Sequence, residues 1–166
     1  MDIQSLNTLP IDQANHLFLQ CCTSEKWIEK MVASRPFTNR SSLCETADHI
    51  WGNLTEKDYL QAFEGHPKIG DVGSLKAKYA NTKALASGEQ SGANSATDEI
   101  IAELANSNSA YEEKYGFIFI VCATGKSATE MLALLQDRLN NDRQKELEIA
   151  SEEQRKIFHL RLEKLL

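Results

Sequence analysis

A chain of 166 residues, 42% hydrophobic and 25% charged, is the size of one domain and can bury a core without metal or disulfide staples. Its net charge of -6 comes with no basic cluster, so there is no electrostatic footprint for nucleic acid or for polybasic attachment to a membrane. The longest apolar run, "FIFIVCA" (117–123), is too short to span a bilayer, and "MDIQSLNTLP" lacks the basic and apolar regions of a signal peptide.

With only three prolines and eight glycines, most of the chain reads as helix. In "IDQANHLFLQCC", Ile11, Ala14, Leu17 and Phe18 fall on one helical face. Ser24 is placed to cap "EKWIEKMV", which should stop before Arg35-Pro36. "SLCETADHIWGNL" predicts a third helix, and Thr55-x-x-Asp58 opens a fourth through "EKDYLQAFE" with Gly65 as its stop. "SLKAKYANTKAL" predicts another. "SGEQSGANSATDE" (87–99) reads as a loop, and a long helix follows from about Asp98 to Lys114, ended by Gly116.

"FIFIVCA" has the composition of a strand but no second apolar run to pair with. An isolated strand has nowhere to place its hydrogen bonds. A buried irregular or helical segment is therefore expected. Ser127-x-x-Glu130 and Ser151-x-x-Gln154 read as capping boxes for two closing helices, "ATEMLALLQDRLNN" and "EEQRKIFHLRLEKLL". The expected fold is all-α: one domain, residues 1–166, of about eight helices in a bundle-like arrangement.

The cysteines Cys21, Cys22, Cys44 and Cys122 form no C-x-x-C pair and match no zinc spacing, so reduced thiols in a reducing compartment are expected. The histidines His16, His49 and His159 fall on amphipathic helices and read as structural or surface groups. No metal site is expected.

The fourth histidine differs. In "FEGHPKIGD" (63–71), Pro67 biases His66 toward extended backbone just past a helix end. That end favours an imidazolium if the ring turns to it. A histidine on a short stiff loop suits acid–base chemistry near neutral pH, although satisfying a helix-end carbonyl is the commoner role. In "SGEQSG", Ser87, Glu89 and Gln90 put hydroxyl, carboxylate and amide within four residues, with Glu89 able to tune His66 and Gln90 able to bind a ureido group. A solvated loop is the plainer account. The backbone of "FIFIVCATGKSA" offers donors and acceptors for a flat polar heterocycle. Its "ATGKSA" lacks the first glycine of a phosphate-binding loop, because position 120 is Ile, so nucleotide binding is rejected. Arg161, flanked by Leu160 and Leu162, sits where a guanidinium can clamp a carboxylate or cover the core with its stem.

Together, "FEGHPKIGD", "SGEQSGA" (87–93), "YGFIFIVCATGKSATEML" (115–132), "RLNNDRQKEL" (138–147) and "KIFHLRLEKLL" (156–166) resemble the 2-oxo-4-hydroxy-4-carboxy-5-ureidoimidazoline (OHCU) decarboxylases, the last enzymes of the route from urate to (S)-allantoin. The resemblance implies an all-helical, homodimeric enzyme without a cofactor. It implies His66 and Glu89 as the catalytic pair, with Pro67 shaping the pocket. Gln90 would be a substrate ligand. Backbone groups of Phe119, Ile120, Val121, Cys122 and Ala123 would contact the ring and ureido atoms, and Arg161 would complete the site. Relatives often carry a serine three residues before the glutamate. Here Ala86 stands at that position and Ser87 follows it. Either the loop shifts in register or the hydroxyl contact comes from elsewhere.

Two other readings stand beside this one. A metal- or thiol-dependent hydrolase of a ureido compound would use a chelatable ion or Cys122, which lies in an apolar run where thiol pKa tends upward. A non-catalytic helical binding module would make nothing of His66 or Glu89. The C-terminal Lys164-Leu165-Leu166 lacks the small first residue of a peroxisomal tripeptide, so the cytoplasm is the expected location.

Overall fold

A computed structural model describes residues 1–67, 72, 73, 75 and 97–166. The described residues form eight helices and contain no strand. These are α1 (Ile3–Thr8), α2 (Ile11–Cys21), α3 (Glu25–Ala33), α4 (Arg40–Gly52), α5 (Glu56–Glu64), α6 (Asp98–Tyr115), α7 (Ala128–Arg138) and α8 (Arg143–Leu165). The segment "SLKAKYANTKAL" and the loop 87–96 lie outside the described residues, apart from Leu75.

The capping signals set most boundaries. Ser24 accepts from Trp27 N–H at the start of α3, and Asp58 returns a bond to the Thr55 N–H at the start of α5. Thr97 and Ser127 cap α6 and α7 by accepting from Ile100 and Glu130. The short α1 was not legible in the sequence. Its cap is Asp2, whose carboxylate accepts from Ser5 N–H at 2.7 Å. Gly116 ends α6 in the left-handed region at φ 81°.

Two expectations are corrected. Ile11 leaves the buried face of α2 and is 68% exposed, because it stands in the first turn, ahead of the Ala14 and Phe18 stripe. Ser151-x-x-Gln154 starts no helix. α8 begins eight residues earlier, where Asp142 accepts from Lys145 N–H at 2.8 Å. Strong helix formers carry it through Ser151 without a break.

The chain divides into two compact units, residues 1–66 with 151–166, and residues 67–150. The first is built around Trp27. Its ring lies 5.9 Å from Phe18 and 5.1 Å from Phe158. Leu6, Met31, Leu43, Ala47, Trp51 and Leu162 close the core around it. The buried indoles keep their hydrogen bonds: Trp27 donates to Ala47 O at 3.2 Å and Trp51 to Ser151 O at 3.0 Å.

In the second unit α6 packs on α7, and Ile101, Leu104 and Ala105 of α6 and Met131, Leu132 and Leu135 of α7 are buried. Residues 117–123 run beside Tyr111 and Tyr115 as irregular chain, with Phe117 and Ile120 buried. A turn at Gly125, φ 75°, leads into α7.

Candidate functional site

His66 stands two residues past the end of α5, with its N–H on Phe63 O at 3.2 Å. The glycine before it is not left-handed, at φ -71°. Gly65 is required by a close approach instead: a Cβ there would lie 2.1 Å from Thr23 Oγ1. That hydroxyl is held by the last carbonyls of α5, at 3.1 Å from Gln61 O and 3.3 Å from Ala62 O. Thr23 and Gly65 thus lock the helix end that presents His66.

The His66 ring does not turn to the helix-end carbonyls. Its Nε2 is hydrogen-bonded to Gln154 Oε1 on α8. Because Oε1 is an acceptor, Nε2 carries the proton and Nδ1 keeps the lone pair. Burial holds the ring's pKa below its ordinary 6.5, and the Arg161 charge pushes the same way against the Gln154 bond. The ring is therefore a neutral imidazole, suited to act as a base at Nδ1, and not the imidazolium that a turn to the helix end would favour.

Gln154 is fully buried. Among the described residues its amide nitrogen has no hydrogen-bond partner. It was read as a helix cap, yet its signal was present. Ala150, Gln154, Phe158 and Leu162 form an i, i+4 stripe, each at most 1% exposed, and a lone polar residue on such a stripe needs a reason.

Arg161 lies about two turns further along α8, and its Nη1 donates to Cys21 O at 3.2 Å and Gln20 O at 3.5 Å. It therefore caps the C-terminus of α2, where a cation is favoured. Its charge reaches His66 and the thiols of Cys21 and Cys22, both of which burial raises to about 12. His66, Gln154 and Arg161 thus belong to one unit.

The stretch Phe119–Ala123 belongs to the other. Arg138 donates to Ile120 O at 2.6 Å, and Lys126 Nζ donates to Cys122 O at 2.7 Å. Among the described residues, nothing accepts from the backbone N–H groups of Ile118, Phe119, Ile120 or Val121. Pro67, the first residue of this unit, is exposed. Ser87, Glu89 and Gln90 lie outside the described residues.

The remaining histidines match their reading as structural or surface groups. His159 pairs with Asp48 at 2.6 Å, and exposed His16 meets Gln20 at 3.2 Å. The four cysteines form no disulfide. Among the described residues no group of acidic, His and Cys side chains is arranged to hold a metal, and no helix is long and apolar enough to cross a membrane.

A neutral histidine under the influence of an arginine charge is a pair of groups that acid–base chemistry can use. Comparison with known proteins gives the family. The OHCU decarboxylase profile matches residues 7–163, and the chain belongs to that family.

The chain is 40% identical over 149 residues to the uric acid degradation bifunctional protein TTL of Arabidopsis thaliana, covering 87% of this chain and 45% of that protein. It therefore spans less than half the length of that relative. It is 27% identical over 169 residues to the 2-oxo-4-hydroxy-4-carboxy-5-ureidoimidazoline decarboxylase of Amia calva, covering 95% of it. Among solved structures it resembles an OHCU decarboxylase crystallised in the presence of (S)-allantoin, with TM-score 0.73 and 36% identity over 89% of this chain and 95% of that one.

Proposed function

We propose that this protein decarboxylates OHCU to (S)-allantoin without a cofactor. The observation that carries the reading is the neutral His66, fixed by Gln154 with Arg161 in the same unit, in a chain of this family. The structural relative crystallised with (S)-allantoin supports the same ligand class.

The substrate carries a carboxylate and a hydroxyl on one ring carbon, next to a C=N bond. When CO2 leaves, the electron pair of the breaking C–C bond flows into that C=N. The substrate is its own electron sink, so the protein has to orient the bond, manage the hydroxyl proton and protonate one face. His66 and Glu89 divide the proton work. Gln90, Pro67 and the backbone of Phe119 to Ala123 hold the ring and ureido group, and Arg161 balances the carboxylate charge. Ser87 supplies a hydroxyl two residues before Glu89. Positioned acid–base catalysis supplies about 10²–10⁴-fold, and orientation with electrostatics supplies the rest. The reading includes a cytoplasmic homodimer, for which sedimentation and cell fractionation are the checks.

The test is circular dichroism of allantoin formation. Urate is converted in place by urate oxidase and hydroxyisourate hydrolase, and this protein is then added. Growth of the (S)-allantoin signal above the slow racemic background is expected, and it should vanish in His66→Ala and Glu89→Ala proteins that keep their helical spectrum. Folded wild-type protein that leaves the background unchanged would overturn the reading.

A further inference from the structure

Arg138, the last residue of α7, is buried with 6% of its surface exposed. It pairs with the fully buried Glu146. Its Nη1 donates to Ile120 O at 2.6 Å and its Nη2 to the Tyr111 hydroxyl at 3.2 Å. The Tyr111 hydroxyl donates to Glu146 Oε1 at 2.6 Å, and Asn141 donates to Glu146 Oε2 at 3.0 Å. The guanidinium also lies 4.6 Å from the centroid of the Phe119 ring, which meets Tyr111 edge-on at 5.3 Å.

A buried ion pair of this kind is a poor source of net stability, since desolvating both charges offsets most of their attraction. What it supplies is direction. Irregular chain has no ladder to hold it, and here one cation grips a carbonyl and a ring of the same stretch. Donation to the Ile120 carbonyl also draws electrons through the peptide, which strengthens the Val121 N–H as a donor.

We infer that Arg138 is a positioning residue of the substrate site: braced by Glu146 and Tyr111, it sets the geometry of the Phe119–Ala123 backbone and polarises the Val121 N–H toward an electronegative atom of the substrate. The inference rests on the reading of that backbone as a substrate contact.

Two variants test it. Arg138→Lys keeps the charge and loses the fork. Tyr111→Phe keeps the ring against Phe119 and removes one brace, and it decides the matter if Arg138→Lys does not fold. The amide signals of residues 119–123 are followed by NMR during titration with (S)-allantoin, and KM and kcat are measured separately.

In wild-type protein the Val121 signal should move on titration. In the variants it should start from a displaced, less polarised position, with allantoin affinity and 1/KM lower on the order of 10-fold and a smaller change in kcat. A folded variant whose Val121 signal, allantoin affinity and KM match wild type overturns the inference alone. Allantoin binding to wild type that leaves all these amides unmoved overturns the substrate reading of the stretch, and the inference with it.

Discussion

His66 and Gln154 are joined by a hydrogen bond between ring Nε2 and amide Oε1 across 88 residues of sequence. The bond leaves Nδ1 as the basic atom. Replacing Gln154 by Leu removes the interaction that favours the charged ring, so the His66 pKa should fall further below 6.5. Loss of ring orientation should lower kcat/KM by about 10- to 100-fold. Gln154→Glu puts a carboxylate on the ring and should move the acid limb of the pH–rate profile upward. A Gln154→Leu profile that overlays wild type would refute this role.

The neutral state of His66 gives a pH signature. Its pKa in the folded chain lies below 6.5, while the unfolded chain binds the proton near 6.5. The unfolded state therefore holds more protons between the folded value and 6.5. The contribution of His66 to stability is complete above 6.5 and declines as pH falls through that window. Activity through a neutral base should show an acid limb in the same window. An NMR titration of the His66 ring checks both, and a value at or above 6.5 would contradict them.

Gly65 tolerates no side chain while Thr23 stands where it does. Gly65→Ala brings a methyl to 2.1 Å from Thr23 Oγ1 and 2.7 Å from Thr23 Cβ, so the backbone carrying His66 has to move. The cost should be about 1–3 kcal/mol in denaturant unfolding, with a parallel loss of activity. Thr23→Gly should reduce that cost in the double variant, a coupling expected only of residues in contact. A Gly65→Ala protein within about 0.5 kcal/mol of wild type would remove the argument.

Arg161 has two separable roles. Its bonds to Cys21 O and Gln20 O close the end of α2, so Arg161→Met should cost about 1 kcal/mol. Its charge depresses His66, so the same variant should raise the His66 pKa toward 6.5. Arg161→Lys should preserve the pKa and lose the two-carbonyl contact. If the His66 titration is the same in all three proteins, the electrostatic link is absent.

The helices were legible from the sequence wherever the information was local. Ser24, Thr55, Ser127 and Gly116 act on their own neighbours within a turn, and each stands at the boundary it marks. The lack of any partner run argued against a strand over 117–123 and left irregular or helical chain, of which the fold takes the irregular one. Local signals failed where a competing local signal was stronger: Asp142 and the helix formers after it override Ser151-x-x-Gln154.

The order of the motifs was enough to give the family, because blocks such as "FEGHPKIGD" are a property of the chain alone. Tertiary structure decided what the site residues do. His66 is neutral because burial and the Arg161 charge outweigh the bond from Gln154, 88 residues away, which orients the ring. Arg138 carried no signal of its own in the sequence, and its role appears only where Ile120, Tyr111 and Glu146 close on it. Charge state and orientation depend on distances between remote residues, and those distances exist only once the chain is folded.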